Sequence, residues 1–302
     1  MTEAAKGTMA MVLACTVWGL SGLYYKAISE VPPLEVLAHR TLWSLVFLGV
    51  VLALRGRLGE LVAALRSRTV LRLVVTALTI SANWFVFIWS VQNGHAIEAS
   101  FGYYIFPLVA VALGRLVIGE DMSRAQWAAV ALAAAGVAVL GLGLGVAPWI
   151  PLILATTFGA YGLIKKRLSI GSAVSVLGET LLLAPAALAV LWGMHAGWLG
   201  DGTGGHFGRD LGHSAMLAFS GVLTGGPLML FSYAAQRVRM ATVGLVQYLN
   251  PTLQFAVAAL AFGEAVTVWH MIALGLIWAA IAIYSALSLH ARPRRAPPVA
   301  KP

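Results

Sequence analysis

The stretch NWFVFIWSVQNGHAIEASFGYYIFP, residues 83–107, decides which solvent the chain folds in. Two strongly apolar runs flank a polar turn, and runs of the same kind recur along the whole length. Sixty percent of the 302 residues are hydrophobic and ten percent are charged, against about 25% charged in an average soluble domain. An apolar run of about 20 residues is long enough to cross a bilayer as a helix. The sequence therefore predicts an integral membrane protein.

Ten runs of this kind can be read from the sequence, and no separate soluble domain fits between them. The bilayer interior supplies no water to unpaired backbone groups, so spanning segments must be helices or a closed barrel. The runs are too continuously apolar for the alternating strands of a barrel. The predicted fold class is an all-α integral membrane protein with ten transmembrane helices. Their approximate ranges are 8–28, 33–54, 70–92, 97–118, 124–144, 148–168, 172–194, 212–236, 241–262 and 267–289.

The basic residues indicate the orientation of the chain. The net charge is +9, and 17 of the 20 Lys and Arg fall on the cytoplasmic side if the N-terminus lies there. This bias is what the positive-inside rule describes, so both termini are predicted to be cytoplasmic. Attraction to the anionic lipids of the bilayer accounts for the excess of positive charge. No nucleic-acid site is predicted.

The sequence also contains an internal repeat. Two collinear sets of residues recur, one at an offset of 144 and the other at an offset of 140. The first set is Phe87, Gln92, Tyr104, Pro107 and Gly119-Glu120, which match Phe231, Gln236, Tyr248, Pro251 and Gly263-Glu264. The second is Gly19, Gly22, Leu23, Lys26 and Val36-Leu37, which match Gly159, Gly162, Leu163, Lys166 and Val176-Leu177. A collinear series along five helices indicates duplication.

Each half holds five predicted helices, so the second half must enter the membrane from the opposite face. Five-helix inverted repeats are typical of transporters, in which two related halves move about a central site. The predicted organisation is a first repeat at 1–145, a second, inverted repeat at 146–290, and a disordered basic cytoplasmic tail at 291–302.

The segments between the spans are predicted to be structural. Residues 55–68 have the apolar spacing of a short helix at the membrane surface, and the glycine-rich segment 197–211 is predicted to be a flexible loop. Gly119-Glu120 and Gly263-Glu264 suit the end of one helix and the start of the next. No metal site is expected, because the spacing of the outer acidic and histidine residues matches no compact ligand pattern. Those residues are His195, Asp201, His206, Asp210 and His213.

Ionisable residues within the predicted spans are the first functional candidates, because a charge near the bilayer centre costs at least ~2.5 kcal/mol. His39 and Arg40 lie in the second span, and Glu179, which aligns with His39 at the offset of 140, lies in the seventh. Arg40 stays charged and can hold an anionic group of a substrate. Glu179, or His39, can carry a coupling proton. The alternative is that Arg40 and Glu179 pair with each other or cap helix backbones, and so only tie the second and seventh spans together.

Uncharged polar residues supply the remaining candidates. Asn83 lies mid-span and either links helices by hydrogen bonds or lines a water-filled cavity, while the neighbouring Trp84 suits a flat organic substrate. Prolines mark irregular points at corresponding places in the two halves, near Tyr104 and near the segment 247–250, and such irregularities point to a substrate site. The predicted substrate-binding residues are Arg40, Asn83, Trp84, Tyr104, Gln247, Tyr248 and Asn250.

Several long motifs in order give the chain a family resemblance. HRTLWS (39–44), NWFVFIWSVQNGHAIEAS (83–100), FGAYGLIKK (158–166), GETLLLAP (178–185) and QYLNPT (247–252) closely resemble the RarD-type permeases of the EamA drug/metabolite transporter superfamily. The resemblance runs through all ten predicted spans. It implies the ten-helix drug/metabolite transporter fold, a multi-pass location in the bacterial inner (plasma) membrane, and permeation of small molecules.

The predicted function is secondary transport of a small amphipathic organic metabolite or drug by alternating access, with export favoured over import. No cofactor and no obligate protein partner are expected, and no nucleotide-binding motif suggests ATP as the energy source. The closest alternative is a passive facilitator or channel. An intramembrane enzyme is disfavoured because no aspartate lies in any predicted span, and a retinal-type receptor because the last span holds no lysine.

Overall fold

The structure is a computed structural model that describes residues 1–113, 115–116, 123–145, 147–166, 168–200, 204–235, 237–238 and 246–290. Regular secondary structure within these residues is entirely helical. The helices are α1 (Glu3–Ala27), α2 (Pro33–Leu54), α3 (Leu58–Arg66), α4 (Thr69–Gln92), α5 (Ala96–Leu113), α6 (Arg124–Leu144), α7 (Trp149–Lys166), α8 (Ser172–His195), α9 (Leu211–Ala235), α10 (Leu249–Ala256) and α11 (Val268–His290).

Six helices in the described part of the chain are long and apolar enough to cross a membrane, judged by length and composition. They are Glu3–Ala27, Pro33–Leu54, Thr69–Gln92, Arg124–Leu144, Ser172–His195 and Leu211–Phe231. Four further apolar helices are shorter: Ala96–Val109, Trp149–Lys165, Leu249–Ala261 and Val268–Tyr284. The prediction of an all-helical membrane protein is therefore confirmed.

Helix ends follow local sequence signals. Pro33 occupies the first turn of α2, where its missing N–H costs nothing. Ser123 and Gln126 form a reciprocal capping box at the start of α6, and Gly145 ends that helix with φ of 67°. The short helix predicted within 55–68 is present as α3, and it buries Leu61 against the bundle.

The packing of the helices has a two-fold pattern. The first helix of the first half, α1, packs against α9 and α10, and the equivalent α7 packs against α4 and α5. Three further pairs, α2 with α8, α5 with α10 and α6 with α11, each join helices at equivalent places in the two halves. Small residues allow the closest approach, since a Cβ at Gly221 of α9 would collide with the main chain of Trp43 in α2.

The predicted irregularity is absent at Pro107, across which the chain stays helical. In the second half, a turn at Tyr248 separates the helical residues 246–247 from α10, so the helix is interrupted within the predicted segment 247–250. Pro251 itself lies in the first turn of α10, where a proline is tolerated. A further irregular segment is a π-helical turn, Val257–Ala261, that extends α10. Residues 115–116, which correspond to 259–260 at the offset of 144, have the same π-helical backbone.

Glu264 caps the N-terminus of a helix in the other half of the chain. Its carboxylate accepts hydrogen bonds from the backbone N–H groups of Ala96 and Ile97, both at 2.8 Å, and so caps α5 rather than the helix that follows it. Three predicted features lie outside the described residues: the matching Gly119-Glu120, the start of the ninth span at 241, and the tail 291–302.

Candidate functional site

Arg40 is buried in the bundle and has no carboxylate partner among the described residues. The residue is 6% exposed. Its guanidinium lies over the ring of Trp84, with Cζ 4.1 Å from the ring centroid, and Nη1 donates to the hydroxyl of Tyr25. A cation over an aromatic face is stabilised by about 2 kcal/mol when desolvated. The Nε–H has no hydrogen-bond partner, so a donor remains for an anionic group.

Asn83 links three helices from a fully buried position in α4. Its Nδ2 donates to the carbonyl oxygen of Leu154 and to Oγ1 of Thr157, both at 2.9 Å, and its Oδ1 accepts from the hydroxyl of Tyr103 at 2.9 Å. Both N–H groups and the oxygen of the amide are therefore satisfied within the protein. Of the two alternatives for Asn83, this geometry favours helix linkage.

The predicted residues of α5 and α10 form a separate network. The Tyr104 hydroxyl donates to Oγ1 of Thr252 at 2.9 Å, and that hydroxyl donates to the carbonyl oxygen of Tyr248 at 2.7 Å. Asn250 instead bonds along its own helix, where its Oδ1 accepts from Nε2 of Gln254 at 3.1 Å. Tyr104 and Tyr248 are thus joined through one hydroxyl.

Glu179 is 1% exposed and ion-paired. Its Oε1 lies 2.8 Å from Nζ of Lys165 and accepts from Oγ of Ser175 at 3.2 Å, and its Oε2 accepts from the hydroxyl of Tyr161 at 3.1 Å. Arg40 is not its partner. The alternative in which Arg40 and Glu179 pair is therefore not what the structure shows, because Lys165 at the end of α7 reaches back into the bundle.

His39 belongs to a third network, at the opposite end of the bundle. Its ring stacks on Phe207 with centroids 4.8 Å apart, and its Nε2 lies 4.0 Å from the carboxylate of Glu35. Glu35 is 1% exposed and accepts from the backbone N–H of His206 at 2.6 Å and from the ring Nδ1 of His206 at 2.9 Å. Residues 204–210, which belong to the loop predicted to be flexible at 197–211, are therefore docked onto α2.

A cavity of about 960 Å³ lies between α1, α2 and α9. This volume falls in the range of small-molecule sites, about 300–1,000 Å³. Apolar side chains line most of the cavity, and two arginines line it where α2 ends; among the lining residues are Val17, Phe47, Leu223, Leu230, Arg55 and Arg57. None of the seven predicted substrate-binding residues lines this cavity. Phe47 is seven residues along α2 from Arg40, a rise of about 10 Å.

The structure therefore divides the predicted site. Arg40 and Trp84 touch each other, and Tyr104 and Tyr248 share a network. An aromatic series leads from the first group to the partner of Asn83, with Phe87 packed against Tyr25 at 5.9 Å and against Tyr103 at 5.6 Å between ring centroids. Gln247 and Asn250 are half-buried near the start of α10, and Glu179 and His39 lie in separate networks.

The titratable residues of these networks that were not among the predicted site residues include Tyr25, Glu35, Tyr161, Lys165 and His206. Glu35 could have been found from its spacing. Glu35 and His39 are separated by four residues in α2, and the positions equivalent at the offset of 140 are Ser175 and Glu179 in α8. Residues four apart lie on the same face of a helix, so the duplication places a polar pair on both helices.

Family comparison identifies the chain. The profile of the EamA-like transporter family matches it twice, over residues 5–142 and 147–286. The chain belongs to this family. Membership confirms the resemblance to RarD-type permeases and agrees with the prediction of a transporter rather than an enzyme.

Relatives in the EamA family match nearly end to end. Protein RarD of Streptomyces exfoliatus is 43% identical, covering 88% of this chain and 84% of that protein. An uncharacterized transporter of Vibrio cholerae is 39% identical, covering 96% and 95% respectively. Protein RarD of Escherichia coli is 36% identical, covering 93% and 94%. A solved crystal structure that is 19% identical superposes with a TM-score of 0.61 over 95% of this chain and 99% of its own, which shows a shared fold.

Proposed function

We propose that this EamA family member is a ten-span permease of the bacterial inner membrane, with inverted repeats at 1–145 and 146–290 and both termini in the cytoplasm. The two-fold packing of the helices, the two π-helical segments and the double match to the family profile support this arrangement. The bilayer is its partner, and no nucleic acid or obligate protein partner is part of the proposal.

The proposed activity is alternating-access transport of a small amphipathic organic metabolite or drug that carries an acidic group, with export favoured. The observation that carries this proposal is Arg40, a buried cation with a free Nε–H and no carboxylate nearby among the described residues. Buried charges are costly and mark substrate or ion pathways in membrane proteins. Trp84 and Tyr25 beside the guanidinium suit the flat apolar part of such a molecule.

Glu179 is the proposed proton carrier, with His39 as the second choice. Glu179 is buried and holds Lys165 and Tyr161 by polar contacts that depend on its charge. Protonation removes the negative charge, weakens the ion pair and frees α7 and α8 to separate at this point. A proton can therefore change the packing of the two helices, which is what coupling requires.

The test of the substrate assignment is counterflow in proteoliposomes with pairs of aromatic compounds, each pair being a carboxylic acid and its neutral amide. The wild type should prefer the acid. Because a hydrogen bond to a charged group contributes about 1.5–3 kcal/mol, Arg40→Gln should lower that preference at least about tenfold. Arg66→Gln, which removes an exposed arginine of α3, is the matched control. An unchanged preference in Arg40→Gln refutes the assignment.

The test of coupling uses the same vesicles with an imposed pH gradient. The gradient should drive accumulation in the wild type, and Glu179→Gln should abolish the response to pH while leaving expression intact. If the wild type equilibrates substrate without responding to the gradient, the protein is a passive facilitator and the coupling proposal is wrong.

A further inference from the structure

The segment 204–210, called the outer strap, closes one end of the bundle over α2. Phe207 of the strap stacks on His39 and lies 6.1 Å from Trp43, measured between ring centroids. His206 supplies two donors to Glu35, its backbone N–H at 2.6 Å and its ring Nδ1 at 2.9 Å. A Cβ at Gly205 would lie 3.3 Å from the Glu35 carboxylate. A buried carboxylate thus holds the strap by two hydrogen bonds.

Few other charged groups reach this carboxylate. On its own helix, His39 lies 4.0 Å from it. At the start of α9, His213 is engaged elsewhere, 3.0 Å from Asp210 and 3.7 Å from Glu30. The backbone N–H of His213 holds the pKa of the Asp210 carboxyl below its usual value, so Asp210 stays ionised beside His213. Arg209 of the strap lies against Gly204, where a Cβ would lie 2.7 Å from one of its nitrogens. Glu35 is therefore the acceptor on which the strap depends.

The other end of the bundle has an equivalent arrangement. Ser175 and Glu179 of α8 occupy the positions equivalent to Glu35 and His39 of α2. There too a single carboxylate binds a residue from outside its helix, with Nζ of Lys165 2.8 Å from Glu179. Both ends of the bundle are thus held by one buried carboxylate and one basic group, although the carboxylate has moved by one turn between the two helices.

We propose that these are two gates, and that Glu35 is a second proton-binding carboxylate that opens the outer gate when it is protonated. This inference rests on the proposed alternating-access function. The ionised carboxylate accepts both donors of His206, and Lys165 and Glu179 form the inner gate in the same way. Binding of one proton converts the carboxylate into a neutral acid. The attraction to a protonated His206 is then lost and the strap is released.

The direction in which the outer gate responds to pH follows from the charge of the Glu35 carboxylate. A proton bound at Glu35 opens the outer gate, while an ionised Glu179, paired with Lys165, keeps the inner gate closed. The backbone N–H of His206 donates to the ionised Glu35 whatever the charge of the His206 ring. The strap is therefore released by acid and retained at neutral pH, an order that suits uptake of a proton from outside in exchange for exported substrate.

Hydrogen exchange of the full-length protein in lipid nanodiscs tests the gate without any substrate. The quantity is the protection factor of the backbone amides of 204–210 after correction for intrinsic exchange at each pH. In the wild type, protection should fall at least tenfold between pH 7.5 and pH 4.5. In Glu35→Gln, the protection factor at pH 7.5 should be as low as it is at pH 4.5. Glu30→Gln is the matched control, because Glu30 is an exposed carboxylate at the same end whose ion pair is with His213 and not with the strap; it should behave as the wild type.

The variant Phe207→Ala distinguishes the contribution of aromatic packing to the strap from the contribution of the Glu35 charge. It removes the stacking on His39 but leaves Glu35 and His206 in place, so protection should drop at every pH and still fall with acid. If Glu35→Gln keeps both the protection and the pH dependence of the wild type, the inference is overturned. It is overturned as well if Glu35→Gln releases the strap and yet leaves the dependence of counterflow on external pH unchanged. If no compound gives counterflow with the wild type, the transport proposal fails, and the exchange data alone decide whether Glu35 holds the strap.

Discussion

Replacing Asn83 distinguishes a structural link from a residue of the transport path. The amide makes three hydrogen bonds of 2.9 Å that join α4 to α5 and α7. Asn83→Leu keeps roughly the volume of the side chain but removes all three bonds. It also leaves the Tyr103 hydroxyl without its acceptor in a region that water does not reach, because Tyr103 is 8% exposed.

The expected loss of stability can be worked from these contacts. Polar side-chain interactions within membrane helix bundles average about 0.6 kcal/mol each and reach about 1.7 kcal/mol. Three such bonds give about 2 kcal/mol, which is roughly a twentyfold change in the unfolding equilibrium. Tyr103→Phe removes one of the three bonds and should cost about 0.6 kcal/mol. The double variant should cost less than the sum of the single variants, because the two substitutions share one bond.

The measurement is unfolding of the purified protein by dodecyl sulfate in mixed micelles, followed by circular dichroism, with counterflow measured in parallel. Asn93→Ala is the control, since the Asn93 amide donates to the carbonyl of Trp89 within the same segment, at the exposed end of α4, and joins no second helix among the described residues. If Asn83→Leu unfolds like the wild type but no longer transports, the side chain contacts substrate and the assignment as a helix link is wrong.

Two further predictions concern helix contacts. Gly221→Ala forces α9 away from the main chain of Trp43 and should lower the unfolding free energy by about 1–3 kcal/mol, whereas Gly226→Ala, where a Cβ meets no atom within 4 Å, should leave the unfolding transition in place. Lys165→Met leaves a buried carboxylate unpaired and should cost about 3 kcal/mol. The same denaturation assay checks it, and adding Glu179→Gln should recover most of the loss; no recovery would contradict the pairing.

The fold was predictable because the length of an uninterrupted apolar segment is enough to specify a membrane helix. A segment that is apolar for about 20 residues in a bilayer has no alternative to a helix, so the second span, predicted at 33–54, matches α2 at Pro33–Leu54. The irregularity predicted at Pro107 is absent for a related reason. Neighbouring helices can satisfy the carbonyl that a proline frees, so Pro107 does not interrupt α5.

The site was harder to predict because its contacts join distant segments. Arg40 and Trp84 come from different helices, and no local pattern pairs them. Lys165 was counted as a basic residue at the end of a span, where a lysine usually extends toward the lipid headgroups. It turns inward instead because Glu179, buried at 1% exposure, would otherwise be an unpaired charge.

Glu35 shows what a comparison by residue identity leaves out. It follows two prolines in the first turn of α2, where an acidic residue is ordinary because it stabilises the positive end of a helix. Matching identical residues between the halves passes over it, since its equivalent is Ser175. Under the two-gate proposal this divergence is required. In that proposal the two ends of the bundle face solutions of different pH, and identical titratable groups at both ends would give the two gates the same intrinsic response. A carboxylate moved by one turn, with histidine as its partner at one end and lysine at the other, lets each gate respond to its own side of the membrane.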